Sequence, residues 1–245
     1  MRYPVSMVAF ISPGSASDFP PLDSALTEPD GLLAMGGDLT SERLLQAYRR
    51  GIFPWYSSDD PILWWSPDPR AVLFPEGLHV SRRLARELKQ APFRPTVDVA
   101  FEEVMQACAE PREELDEDEE EGDHTWIVPE MITAYCALHR LGHAHSLEVW
   151  YGDELAGGVY GVSLGKVFFG ESMFSRYTGA SKHAMFYLCQ RLQTLGVRVL
   201  DCQVESEHVL SLGAELISRT RFVELLETHC DAPAPTPSQW QAPFA

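Results

Sequence analysis

Residues 144–174 read AHSLEVWYGDELAGGVYGVSLGKVFFGESMF. Three runs rich in apolar, β-branched and aromatic residues, Ala144 to Tyr151, Glu154 to Leu164 and Val167 to Phe174, are joined at Gly152-Asp153 and Gly165-Lys166. Runs tied by tight glycine-containing turns predict an antiparallel meander. On its N-terminal side lie a helix from Pro129 to Leu141, stopped by Gly142, and another from Val99 to Ala109. On its C-terminal side follow a helix from Ser181 to Leu195, a strand from Arg198 to Val204, a short helix around His208 to Leu212 and a strand near Arg221 to Leu226. This order predicts an α+β domain with a mixed, mostly antiparallel sheet flanked by helices.

Residues 1–74 read differently. Turn-forming clusters (Asp18-Phe-Pro-Pro21, Glu28-Pro-Asp-Gly31, Gly36-Gly37-Asp38) and aromatics (Phe53, Trp55, Tyr56, Trp64, Trp65) surround one short helix, Ser41 to Arg50. Asp38-Leu-Thr-Ser41 supplies its N-cap candidates and Gly51 its stop. A small irregular N-terminal domain is expected here, then a second domain over 75–230. The tail 231–245 holds four prolines and is expected to be poorly ordered. The apolar run Val5 to Ile11, interrupted by Ser6, is short for a secretion signal and reads as a strand. No run of about 18 apolar residues suggests a membrane span. Five cysteines, Cys108, Cys136, Cys189, Cys202 and Cys230, form an odd set without a Cys-x-x-Cys pair, so reduced thiols and a cytoplasmic location are expected.

A formal charge of -17 counts against nucleic-acid binding until its distribution is read. Residues 110–123, EPREELDEDEEEGD, hold ten acidic side chains and one Arg, and account for -9 of it. This block reads as a solvated loop insertion. Residues 79–95 instead carry Arg82, Arg83, Arg86, Lys89 and Arg94 against Glu87 alone. With Ser81 as N-cap, a helix to about Ala91 turns Leu84, Leu88 and Ala91 inward and the cations outward, as a solvated basic face or a phosphate-tracking patch.

Other motifs are weaker. Gly161 to Val167 resembles a phosphate loop but is one residue short and lacks the Ser or Thr for magnesium, so a hairpin turn explains it better. His139, His143 and His145 lie near Cys136, yet Gly142 interrupts their helix and no metalloprotease Glu stands between them; no metal is expected. No Gly-x-Ser-x-Gly elbow marks a serine hydrolase. Arg176-Tyr-Thr-Gly179-Ala180-Ser181 falls between a strand and a helix, where N–H groups can hold an anion. It is near the pyrophosphate loop of Gcn5-related acetyltransferases and departs in its last residue, which makes an acyl-CoA-dependent N-acyltransferase the alternative reading.

Gly31-Leu-Leu-Ala-Met-Gly-Gly-Asp38, Arg50-Gly-Ile-Phe-Pro-Trp55, Ile62-Leu-Trp-Trp-Ser-Pro-Asp-Pro-Arg70, Gly142-His-Ala-His-Ser146, Phe169-Gly-Glu-Ser-Met-Phe-Ser175 and Asp201-Cys-Gln203 occur together and in order. In these motifs, over about Pro20 to Leu226, the chain resembles the leucyl/phenylalanyl-tRNA–protein transferase family. The resemblance implies a small N-terminal domain and a C-terminal domain of Gcn5-related N-acetyltransferase (GNAT) fold. It implies transfer of Leu or Phe, less readily Met, from aminoacyl-tRNA to proteins beginning with Arg or Lys. In bacteria that product is a degradation signal of the N-end rule, with an adaptor and the Clp protease downstream.

The residues can be matched to this chemistry. An aminoacyl ester is already activated, so the enzyme must hold the acceptor amine at the carbonyl, help its proton leave and stabilise the oxyanion, with no cofactor. The resemblance implies catalytic roles for Asp201 and Gln203, with Gln203 as a positioning group and the base unassigned. Trp55 and Trp126 match positions expected to hold the terminal adenosine of tRNA; either could otherwise be core. Glu171 matches a position near the substrate, open to an acceptor cation or a ribose hydroxyl. Phe168, Met173 and Cys202 are candidate walls of the aminoacyl pocket, with Met173 adaptable enough for Leu and Phe alike. Arg82, Arg86 and Lys89 match a basic helix expected to meet the acceptor stem. The acidic block is longer than the family pattern requires, and a monomer is expected.

Overall fold

The computed structural model of the chain describes residues 8–15, 19–90, 92–110 and 127–244. The N-terminal part contains β1 (Ala9–Ile11), β2 (Leu32–Gly36), α1 (Ser41–Arg49), β3 (Phe53–Pro54) and β4 (Leu63–Trp65). Then come β5 (Arg70–Leu73), α2 (Arg82–Gln90), β6 (Arg94–Val97), α3 (Phe101–Ala109), α4 (Pro129–Arg140), β7 (Ala144–Tyr151), β8 (Glu154–Leu164) and β9 (Val167–Ser175). α5 (Ala180–Thr194), β10 (Val199–Gln203), α6 (Glu207–Ser211), β11 (Glu215–Ile217), α7 (Arg219–His229) and α8 (Pro237–Trp240) complete the chain.

The first sheet has the order β1-β2-β4-β3 and the second β11-β5-β10-β9-β8-β7-β6. In the second, β9 and β10 run parallel, connected by α5, and every other pair is antiparallel. The predicted meander is present as β7, β8 and β9, and the α+β class with a mixed, mostly antiparallel sheet holds. The chain leaves the first sheet after Trp65 and enters the second at Arg70, ahead of the boundary that composition suggests at residue 74.

Two sequence expectations are corrected. Residues 221–226 are helical: Ser218 Oγ accepts from Arg221 N at 3.2 Å and caps α7, and Phe222, Leu225 and Leu226 are buried at helical spacing. The strand there is β11, earlier and shorter. The tail is ordered through residue 244: α8 opens with a capping box between Thr236 and Gln239, and Trp240 is only 1% exposed. Proline content misled because one buried aromatic outweighs the cost of fixing a few residues whose φ is already set.

Apolar side chains fill both faces of the second sheet. Phe169, Val162 and Val199 join Leu44, Tyr48, Val104, Tyr135 and Phe222 on the side shared with the N-terminal part. Phe168, Leu200 and Leu147 join Ala184, Leu188, Leu192 and Trp240 on the α5 side. Gly51, at φ +74°, lets α1 end against α7, where a Cβ would stand 3.0 Å from the Phe222 ring. The end of α1 is thereby brought over β5 and β10.

Candidate active site

The helical stripe of α1 turns Leu44, Ala47 and Tyr48 into the interior, and that of α4 turns Met131, Ala134, Tyr135 and Leu138 inward. A buried phenol must find a hydrogen-bond partner, and both find the same one. Tyr48 Oη lies 2.8 Å from Glu171 Oε1, Tyr135 Oη lies 2.9 Å from Glu171 Oε2, and the two hydroxyls hydrogen-bond each other. Gln203 Nε2 donates to Glu171 Oε1 at 3.1 Å.

Local irregularities aim these groups. Tyr160 pairs with Ser172 and Gly161 with Gly170, which makes Glu171 the extra residue of a bulge in β9. Alternation from Phe169 puts Glu171 on the tyrosine side, and the bulge turns Met173 to the α5 side. In β10, Asp201 pairs with Val72 of β5 and Gln203 with Ala71, so Cys202 is the extra residue, and Gln203 takes φ +61°. That unusual backbone is held by Asp201 Oδ1, which accepts from Gln203 N at 3.0 Å.

Asp201 is fully buried and its carboxylate is clasped by Arg70, Nε to Oδ1 at 2.8 Å and Nη2 to Oδ2 at 2.7 Å. The third guanidinium nitrogen donates to Gly51 O at 3.1 Å, and the guanidinium carbon lies 4.8 Å from the Phe53 ring centre and 4.7 Å from that of Phe222. Asp201 thus meets Gln203 through the main chain, and no hydrogen bond joins it to the Gln203 side-chain amide. Burial pushes the Glu171 carboxyl up to about 8, against the opposing pull of the hydrogen bonds from Tyr48 and Tyr135; nearby Asp201 raises it further and Arg70 lowers it. Burial also pushes Tyr48 and Tyr135 well above the usual phenol range.

The remaining predicted residues fall in three places. Phe168, Met173 and Cys202 belong to the apolar layer against α5, across the sheet from Glu171, and burial raises the Cys202 thiol. Trp55 is exposed, its ring 5.7 Å from that of Trp65. Trp126 lies outside the described residues, as does the acidic block except Glu110. Arg82, Arg86 and Lys89 are all exposed on α2, three or four residues apart, while Leu84 is buried and Ser81 Oγ accepts from Leu84 N at 3.1 Å.

Arg176, the cation of the alternative acyl-CoA reading, is paired with Glu110 at 2.5 Å. His139 and His145 each commit Nδ1, to Ala144 O at 2.8 Å and Asp98 Oδ2 at 2.7 Å. Among the described residues no helix is long and apolar enough to cross a membrane.

Residues 72–227 match the family profile described as leucyl/phenylalanyl-tRNA protein transferase, and residues 37–68 match that of its N-terminal domain. The chain belongs to this family. The leucyl/phenylalanyl-tRNA–protein transferase of Chromobacterium violaceum is 55% identical over 89% of this chain and 90% of that protein. That of Hydrogenovibrio crunogenus is 54% identical over 92% of this chain and 88% of that protein. Among solved structures, a GCN5-related N-acetyltransferase from Kribbella flavida has a TM-score of 0.39 at 13% identity, covering 71% of this chain and 59% of that one. Leucyl/phenylalanyl-tRNA–protein transferases are acyltransferases that use aminoacyl-tRNA, and this chain is an enzyme of that class.

Three members of the site escape the sequence reading. Arg70 ends a quoted motif, but its partner is 131 residues away. Tyr48 and Tyr135 carry a fainter signal, a hydroxyl on the buried stripe of a helix, which asks for a polar partner without naming it.

Proposed function

We propose that this enzyme moves Leu or Phe, and less readily Met, from aminoacyl-tRNA to the α-amine of proteins that begin with Arg or Lys. The product would mark those proteins for degradation in the bacterial N-end rule pathway, in the cytoplasm. The observation that carries this reading is the hydrogen-bonded meeting of Glu171, Gln203 and Asp201, with two phenols at the carboxyl that has no cation of its own. Arg70 already satisfies Asp201, so Glu171 is the group left to meet the acceptor amine, which reacts in its neutral form. Gln203 then acts as a positioning group, its amide oriented on Glu171. The apolar layer of Phe168, Met173 and Cys202 would take the donor side chain and exclude polar ones through their desolvation cost. Trp55 and Trp126 would stack the terminal adenosine.

Leu-tRNA incubated with the enzyme and an Arg-initiated peptide is expected to yield the peptide extended by one leucine, read by mass spectrometry. The N-acetylated peptide should stay unchanged. Lack of product with folded enzyme and intact charged tRNA would overturn the reading, and protection from melting by acyl-CoA would replace it.

Arg82, Arg86 and Lys89 would track acceptor-stem phosphates, a contact that reads charge and shape. Their simultaneous change to Ala should weaken tRNA use and reduce the slope of log affinity against log salt by about 2, while short aminoacyl-adenosine donors react at the wild-type rate. Equal losses on both donors would refute the patch.

A further inference from the structure

We propose that Glu171 is held as a neutral carboxylic acid in a closed hydrogen-bonded ring with Tyr48 and Tyr135, and that this ring carries the proton from the attacking nitrogen to the departing ester oxygen. The inference rests on the transfer reaction proposed above and adds the route of its proton.

Three oxygen pairs are in hydrogen-bond contact: Tyr48 with Glu171 Oε1 at 2.8 Å, Tyr135 with Glu171 Oε2 at 2.9 Å, and Tyr48 with Tyr135. An ionised carboxylate leaves only the two phenol hydrogens for these three contacts, so one pair of oxygens would face each other bare. A carboxylic acid supplies the missing hydrogen. Its O–H donates to one phenol, that phenol to the other, and the second phenol back to the carboxyl, in either sense around the ring. The amide of Gln203 donates to Oε1 at 3.1 Å and fixes the carboxyl from a third side.

Among the described residues five titratable groups face Glu171. They are Tyr48 from α1, Tyr135 from α4, Tyr160 from β8, Asp201 from β10 and Arg70 from β5. Arg70 is the one cation among them, and both its forks are spent on Asp201. Burial raises both ring phenols well above their ordinary range, and neighbouring Tyr160 likewise, so none of them ionises before the carboxyl.

The chemistry balances. The acceptor ammonium gives one proton to solvent and arrives as a neutral amine. Its lone pair forms the C–N bond at the ester carbonyl carbon, and the bond from that carbon to the tRNA 3′ oxygen breaks. One N–H proton leaves the nitrogen for the ring, and a different ring oxygen delivers a proton to the 3′ oxygen. Glu171 ends as it began. Uptake at one ring oxygen and delivery from another are concerted, so the ring passes through neither a carboxylate nor a doubly protonated acid.

The test has two arms. Infrared difference spectra of wild type minus Glu171→Gln should show a carboxylic-acid carbonyl band at pH 7 that titrates away near pH 8. No such band between pH 6 and 7 would overturn the neutral ring, whatever the activity. In single turnovers with Leu-tRNA and the Arg peptide, Tyr48→Phe and Tyr135→Phe should each lower kcat by about 100-fold with KM little changed, the low end of what proton-transfer groups contribute. Wild-type kcat and an unmoved pH profile in either variant would overturn the relay. A wild-type enzyme that extends no peptide would instead sink the transferase reading, while the infrared arm still decides the protonation state.

Discussion

Arg70→Met is expected to unfold about 6 to 20 °C below wild type in a melting scan. The substitution leaves the fully buried Asp201 carboxylate without its bidentate partner, and breaking a buried pair from one side costs about 3 to 5 kcal/mol. At this chain length each kcal/mol moves the midpoint by about 2 to 4 °C. Methionine keeps the apolar packing between Phe53 and Phe222, so the loss is assigned to the stranded charge rather than to a cavity. The double variant Arg70→Met with Asp201→Leu removes both charges and should regain most of the stability, because a buried pair replaced by apolar residues is often neutral. Its transfer activity should stay low. Asp201 Oδ1 is the acceptor that holds Gln203 at φ +61°, and without it the Gln203 amide no longer points at Glu171. Stability and activity both restored in the double variant would show that the ion pair does nothing for the site.

That pair also shows where sequence reasoning stops. The meander was legible because runs rich in apolar, β-branched and aromatic residues and tight glycine turns are local signals, and α1 and α4 were marked by their stop glycines, α1 also by cap candidates. Asp201 and Gln203 were legible only through family motifs. Two bulges decide which way the site points, at Glu171 and at Cys202, and an inserted residue in a ladder leaves no mark in composition. Alternation alone would put Met173 on the face of Phe169 and Glu171; the bulge puts it on the other. Residues 221–226 misled in the opposite way, since Phe222, Leu225 and Leu226 fit a short apolar strand as well as a helix until the Ser218 cap is considered. The tail was misjudged by averaging its prolines over 15 residues, when one of those residues is a tryptophan with somewhere to go.

Trp240→Ala should cost about 3 to 5 kcal/mol, the usual range for emptying a buried indole site, and lower the melting midpoint by about 6 to 20 °C. The indole stacks on His145 with centroids 4.0 Å apart and an interplanar angle of 15°, and lies 5.8 Å from Phe168. Arg191, only 3% exposed, donates to the carbonyl oxygens of Gln239 and Ala242, and its guanidinium carbon is 4.3 Å from the Phe244 ring centre. The tail therefore closes the α5 side of the sheet with one aromatic plug and gives a buried cation its acceptors. Ending the chain at residue 230 should be worse than Trp240→Ala, because it strands Arg191 as well. Trp240→Phe should lose less than Ala: the ring is kept, and the indole Nε1 has no acceptor among the described residues, so no hydrogen bond is forfeited. The site makes this more than a stability effect. Phe168 is a proposed wall of the donor pocket, while Trp240 touches none of the groups around Glu171, so Trp240→Ala measured below its melting range should raise KM for Leu-tRNA with little change in kcat. Unchanged KM and melting midpoint would mean that the tail only lies on the surface, and a selective fall in kcat would place its influence on the Glu171 side of the sheet instead.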